Sequence, residues 1–247
     1  MRAIAEETAR SPLSSSLCNV LKKPLKCEGE ICPTDVVPVV ALSKRDGAPA
    51  VFPMVWGFTD RASGRAPLFN ARAETAAVKP TFRESWRSHR CAVPISWYYE
   101  WKHEPSPNGN PSCEEAPAPS RVGEDPGKPG RNRPRAGNTG EKKRIRPRGA
   151  SRVFLAGLYR IETKDGFRYP VFTVLTTVPS PSVADIHDRM PVLLSEEAAA
   201  KWIDPASVPE DVIRTALTEM EIRTFSESSP ALNSFLISLK HIALNSL

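Results

Sequence analysis

The sequence predicts an α+β fold: an antiparallel, barrel-like β core with a few covering helices. Two observations carry that expectation. Six short runs rich in Val, Phe, Tyr or Trp are bounded by Gly, Pro or charged turns, as half-buried strands are. Three segments among the strands show helical patterning, and mostly strands with a few covering helices means an α+β fold.

The strand-like runs are VVPVVAL (36–42), AVFPMVWGF (50–58), LFNARAE (68–74), CAVPISWYYEW (91–101), RVFLAGLYRIE (152–162) and FRYPVFTVLTTV (167–178). TAAVKPTFRESWRSH (75–89) reads as a helix broken near Pro80, whose ring and missing N–H interrupt the hydrogen-bond ladder. SEEAAAKWID is a second helix, with Ser195 as N-cap and two acids in its first turn. DVIRTALTEM (211–220) is a third.

Between the fourth and fifth strands lies a segment of another kind. Residues 104–150 hold nine of the 25 prolines and seven of the 13 glycines, with no aromatic residue. Such a composition cannot offset its ordering entropy by burial. Residues at about 104–141 are therefore expected to form a disordered basic insertion in a single domain spanning 1–247, with KKRIRP rejoining the fold. From His103 to Arg152 there are eleven Lys/Arg and six Asp/Glu, so this stretch supplies nearly all of the net charge of +6. A positive chain suits a polyanion partner, but charge alone names none.

Bulk features exclude several classes. With 40% hydrophobic residues, the chain has an ordinary soluble composition. No run approaches the roughly 18 apolar residues of a membrane span, and MRAIAEETARSPLSSSLC lacks the apolar region of a secretory leader. The expected location is cytoplasmic or nucleoid-associated. Five cysteines (Cys18, Cys27, Cys32, Cys91, Cys113) show no disulfide spacing. Cys27 and Cys32 have no second Cys or His pair beside them, so no metal or other cofactor is expected.

Three polar constellations sit at the ends of apolar strands. In FNARAET, Asn70, Arg72 and Glu74 alternate with Ala71 and Ala73, which places all three on one face of a strand. A solvated face gives the same pattern, although Asn is disfavoured in strands. In SWYYEW, Glu100 is surrounded by Trp97, Tyr98, Tyr99 and Trp101. Desolvation there raises a carboxyl pKa toward neutrality and suits it to proton transfer; an exposed edge-strand glutamate is the alternative. In VADIHDRMPVLL, His187 is the side chain whose ordinary pKa lies closest to neutrality, with Asp185 or Asp188 to orient it; a structural histidine in a turn is the alternative. Arg189 is placed to bind a phosphate bidentately or to pair with Asp188.

Together these motifs resemble the SRAP family, the SOS-response-associated peptidases that act on abasic sites in single-stranded DNA. GEICPTDVVPVV, MVWGF, KPTFRESWRSHRC and FLAGLY support the resemblance, in the family's order, from about residue 29 to 203. It implies DNA-damage (SOS) chemistry. An N-terminal cysteine, exposed by removal of the initiator Met, closes a thiazolidine with the ring-opened abasic aldehyde, and autopeptidase activity accompanies this. By position, Asn70 would hold the N-terminal residue and the sugar, Glu100 would be acid/base, and His187 would assist proton transfer. Arg72, Arg189, Trp56 and Thr177 would be the DNA-binding residues. The partner would be single-stranded DNA with abasic sites, the protein a monomer, with no membrane involved. No HExxH or GxSxG supports a general hydrolase.

The resemblance breaks at the start. The family opens Met-Cys-Gly-Arg, whereas this chain opens Met1, Arg2, Ala3. The family's first strand and nucleophile are thus expected to be missing. Either the start codon is assigned too late, which the retained Asn70, Glu100 and His187 favour, or the chain is a degenerate, non-catalytic single-stranded DNA-binding module. Cys32 and Cys18 are not substitutes for the nucleophile.

Overall fold

Five strands, buried on both faces over much of their length, close into a barrel. The computed structural model describes residues 12–59, 66–102, 141–149, 152–226 and 236–239. In chain order the elements are helix α1 (Pro12–Leu21), strands β1 (Gly29–Ile31), β2 (Val36–Leu42), β3 (Pro49–Trp56) and β4 (Asn70–Arg72), and helices α2 (Ala73–Ala76) and α3 (Arg83–Ser88). Strands β5 (Arg90–Ile95), β6 (Trp97–Lys102), β7 (Glu141–Pro147), β8 (Val153–Lys164) and β9 (Phe167–Thr177) follow. The chain continues through helix α4 (Pro181–Ala184), strands β10 (Met190–Pro191) and β11 (Leu193–Leu194), helices α5 (Glu196–Ile203) and α6 (Pro209–Glu219), and strands β12 (Ile222–Ser226) and β13 (Leu236–Leu239).

The barrel runs β9–β3–β2–β5–β8 and back to β9. Four of its pairings are antiparallel, and β3–β9 is parallel, with Val55 opposite Val171. This refines the expected all-antiparallel core to a mixed one. Five strands of alternating direction cannot match all the way round a ring, so one neighbouring pair must be parallel. A second, wholly antiparallel sheet, β1–β13–β6–β7–β12, packs beside it.

Each face of the barrel wall feeds its own apolar cluster. One unites Val40, Ala92, Phe154 and Leu175 with Leu17, Trp86, Trp202 and Ile213 from the helices and Phe82 from the turn before α3. The other unites Val37, Trp56, Val93, Leu155 and Phe172 with Tyr98, Ile145 and Ile222 of the second sheet. Burial on both faces explains why the strand runs read as continuous apolar stretches rather than as alternation. Trp202, fully buried, donates its indole N–H toward the carbonyls of Cys91 and Gly157 at 3.0 and 3.2 Å, locking α5 onto the seam between β5 and β8.

Local expectations meet the structure unevenly. β2 spans the expected 36–42. Ser195 caps α5, its side chain accepting from the Ala198 N–H at 3.1 Å. Helix α6 begins two residues before the expected start because Pro209 fits the first helical turn. The helix expected over 75–89 is instead two short helices separated by turns from 77 to 82. The run 91–101 is two strands in different sheets, bent at Ser96. Residues 103–140, with most of the expected insertion, and residues 1–11 lie outside the described residues; Glu141 already belongs to β7. No helix among the described residues is long and apolar enough to cross a membrane.

Candidate functional site

The last turn of β9 gathers two of the three constellations. On the β3 side, β4 pairs with it in parallel, placing Asn70 opposite Val174 and Arg72 opposite Thr176. On the β8 side, Met190 pairs with Thr177, and the Val192 N–H donates to the Leu175 carbonyl. A strand of 11 residues thus carries the FNARAET motif on one edge and the end of VADIHDRMPVLL on the other.

β4 is short because the chain turns helical at Ala73, after an extended Arg72 (φ −71°, ψ 121°). Asn70 and Arg72 are exposed and Ala71 is buried, as alternation requires. Glu74 leaves the expected strand face and lies in the first turn of α2. From there it grips Arg189: Nη1 and Nη2 donate to its two carboxylate oxygens at 3.0 and 2.8 Å, and Nη2 donates to the Thr176 carbonyl at 2.7 Å. Partial burial works against the Glu74 carboxylate, but the Arg189 and backbone N–H donors hold it below its ordinary range. The partner of Arg189 is therefore Glu74, not Asp188.

The turn around His187 is held from within. Nδ1 lies 3.0 Å from the Arg189 backbone N–H and 2.9 Å from Asp188 Oδ1. These contacts belong to different protonation states of Nδ1. Without a hydrogen Nδ1 accepts from the Arg189 amide, whereas an Nδ1–H, in the neutral tautomer or the cation, donates to Asp188. Asp188 is therefore the acid that orients His187, as one of the two expected alternatives.

Glu100 sits on β6, interior to the second sheet, with Lys143 as its cross-strand neighbour on β7. It is only 7% exposed, so the edge-strand alternative does not hold. Burial, and then the negative charge of Asp188, push its carboxyl up to about 8. Its neighbour Tyr98, fully buried two residues earlier on the same strand face, is raised by burial and by the Glu100 charge. The charge of Asp188, felt at Glu100, links the second sheet electrostatically to the His187 turn. Near neutral pH the site therefore offers a protonated carboxyl, an imidazole with an aspartate partner, and an exposed amide and guanidinium on β4.

Two expected DNA contacts need correction. Trp56 is fully buried, stacked on Phe172 at 6.1 Å with its indole N–H donating to the Phe69 carbonyl at 2.9 Å. It props the residue before Asn70 and touches no groove. Thr177 is 4% exposed and bound into the β9–β10 ladder. Sequence reasoning missed Thr176 and Tyr98 as members of the site, and missed the partnership of Glu74 with Arg189. The motif repeats Thr at 176 and 177, and only strand register says which one meets Arg189. Gly57, in MVWGF, has φ +125°, and a Cβ there would lie 2.8 Å from the Phe69 ring; this is the tight turn that lets Phe69 and Asn70 approach β9. Among the described residues no group of three or more His, Cys, Asp or Glu side chains could hold a metal.

Comparisons with known proteins agree with this architecture. The chain is 32% identical over 151 residues to the abasic site processing protein YobE of Bacillus subtilis, covering 61% of this chain and 55% of the relative. It is 27% identical over 168 residues to YedK of Escherichia coli (67% and 60%) and 25% identical over 197 residues to HMCES of Rattus norvegicus (74% and 53%), both also abasic site processing proteins. The chain thus spans little more than half the length of these curated relatives. A crystal structure of a protein from Bacteroides thetaiotaomicron superposes with a TM-score of 0.57 at 20% identity, covering 91% of this chain and 87% of the other. One from Bordetella bronchiseptica gives 0.57 at 16% identity (87% and 96%); both show the shared fold. The sequence profile of one family matches residues 4–231, and on that match the chain belongs to the SOS response associated peptidase (SRAP) family.

Proposed function

We propose that this protein processes abasic sites in single-stranded DNA, forming a covalent crosslink when an N-terminal cysteine is supplied, with associated autopeptidase activity. The observation that supports this reading best is Glu100: a buried carboxyl, protonated up to about 8 through burial and the charge of Asp188, the neighbour of His187. An abasic aldehyde and an amine give a carbinolamine. Its hydroxyl must be protonated to leave as water, and the iminium must then be captured. Glu100 supplies that proton. The thiol then adds to the iminium carbon, and the Glu100 carboxylate recovers the proton as the thiazolidine closes. His187, relayed to Asp188, moves protons on the opened sugar. Asn70 holds the N-terminal residue and the sugar, and Arg72 attracts the backbone phosphates; such contacts position the strand without reading its sequence. The YobE, YedK and HMCES names support the substrate class.

The test adds Met-Cys-Gly-Arg ahead of the chain and incubates it with single-stranded DNA containing one abasic site. A heat-stable adduct, lost in Glu100→Gln, is expected. Failure of the extended chain to form any adduct removes the crosslinking reading. Binding by the chain as given should weaken with salt, and Arg72→Ala should flatten the log-affinity against log-salt slope by about one phosphate contact. Binding without an adduct, lost in Arg72→Ala, would leave a non-catalytic strand-binding module.

A further inference from the structure

We propose that the barrel end remote from Glu100 is a binding site for a small amphipathic anion, an alkyl or aryl body carrying one negative head group. A cavity of about 430 Å³ opens where β2 ends and β3 and β9 begin. That volume is in the range of small-molecule sites. Pro170 lines it, whereas the candidate site gathers at Val174–Thr177 of the same strand; at about 3.3 Å per residue, Pro170 and Thr176 are roughly 20 Å apart.

The walls are apolar: Leu42, Phe52, Met54, Tyr159, Ile161 and Pro170. Ile161 is 43% exposed at the mouth, a position where a solvated strand would carry a polar side chain. The rim is cationic. Lys44 and Arg45 come from the β2–β3 turn and Arg168 from β9, and no acidic side chain lines the cavity among the described residues. Among the described residues the carboxylate paired with these cations is Asp46, which meets Arg45 at 3.4 Å with both side chains solvated, a contact too weak to neutralise the rim. The positive field reaches inward. The His89 ring meets Tyr159 edge-on at 5.1 Å, and His89 is held below its ordinary range by burial and then by the Lys44 charge. Apolar walls that desolvate a hydrocarbon body, with three cations at the lip, select an anionic amphiphile over a neutral or cationic one.

This site is independent of the abasic-site reading, and its test uses the full chain without DNA. Fluorescence of 1-anilinonaphthalene-8-sulfonate is titrated first. Competition follows with decanoate, decyltrimethylammonium and inorganic sulfate, each below any micelle concentration. Saturable one-to-one binding, displaced by decanoate but not by the alkyl cation or by sulfate, is expected. The exposed-rim double variant Lys44→Glu/Arg168→Glu should weaken decanoate about tenfold, and Ile161→Asp should weaken the fluorophore similarly, with thermal unfolding verifying that each variant is folded. Equal displacement by the alkyl cation, binding unchanged in both variants, or no saturable binding would each overturn the proposal.

Discussion

Replacing Glu100 with glutamine should flatten the dependence of folding stability on pH. The Glu100 carboxyl is pushed from the ordinary 4.5 up to about 8 by burial and by Asp188. Between those values the folded chain keeps a proton that the unfolded chain has released, so stability falls as pH rises. Each pH unit in that window costs about 1.4 kcal/mol. The loss is then about 3 kcal/mol at pH 7 and about 5 kcal/mol by pH 8, with no further change above it. Glutamine has the same shape and no proton to lose. Glu100→Gln should match the parent near pH 4.5 and exceed it progressively up to pH 8. Urea unfolding followed by tryptophan fluorescence at pH 5, 6, 7, 8 and 9 measures both curves. Parallel curves across that range would refute the burial argument, and with it the assignment of Glu100 as the proton donor.

Other perturbations have different signatures. Trp202→Phe removes the indole donor shared by the Cys91 and Gly157 carbonyls, leaving a gap as well, and should lower urea-unfolding stability by about 2–4 kcal/mol. Gly157→Ala would bring a Cβ to 2.9 Å from Cys91 Sγ and 3.2 Å from the Thr173 carbonyl, costing about 1–3 kcal/mol in the same assay. Glu74→Gln loses half of an ion pair whose glutamate is 44% exposed, so overall stability should change by less than about 1 kcal/mol. Amide exchange in the 187–189 turn should nevertheless accelerate, because Arg189 is released from its fork.

Much of this was legible in the sequence where the signal is local. Ser195, followed by two acids and a run of alanines, names its own cap, and β-branched VVPVVAL names its own strand. The failures share a cause. In LFNARAET the alternation continues past Arg72, but the alanine-rich AETA prefers helix, and nothing in a period of two reports the switch. In CAVPISWYYEW the apolar run continues through Ser96 because both sheets bury it, which conceals the change of sheet. The family motifs brought Asn70, Glu100 and His187 to attention, and strand register explains how two of them come to one end of β9. What no window of sequence contains is the grip of Glu74 on Arg189, across 115 positions. Trp56 was misjudged for the converse reason: an aromatic beside a glycine turn looks the same whether it faces a ligand or fills the core.

The β6–β7 hairpin has a consequence for motion. Its loop end is the pair Lys102–Glu141, followed by Trp101–Lys142 and then Glu100–Lys143. Fraying from that end therefore reaches the buried carboxyl after only two pairs. The lock against it is Lys142, whose ammonium lies 3.9 Å from the centre of the Tyr99 ring and 2.6 Å from Glu30. Local opening exposes Glu100 to water, where it ionises freely, so alkaline solution favours the frayed hairpin over the closed one. Breathing of this one hairpin, rather than global unfolding, then becomes the route by which the proton on Glu100 exchanges with solvent.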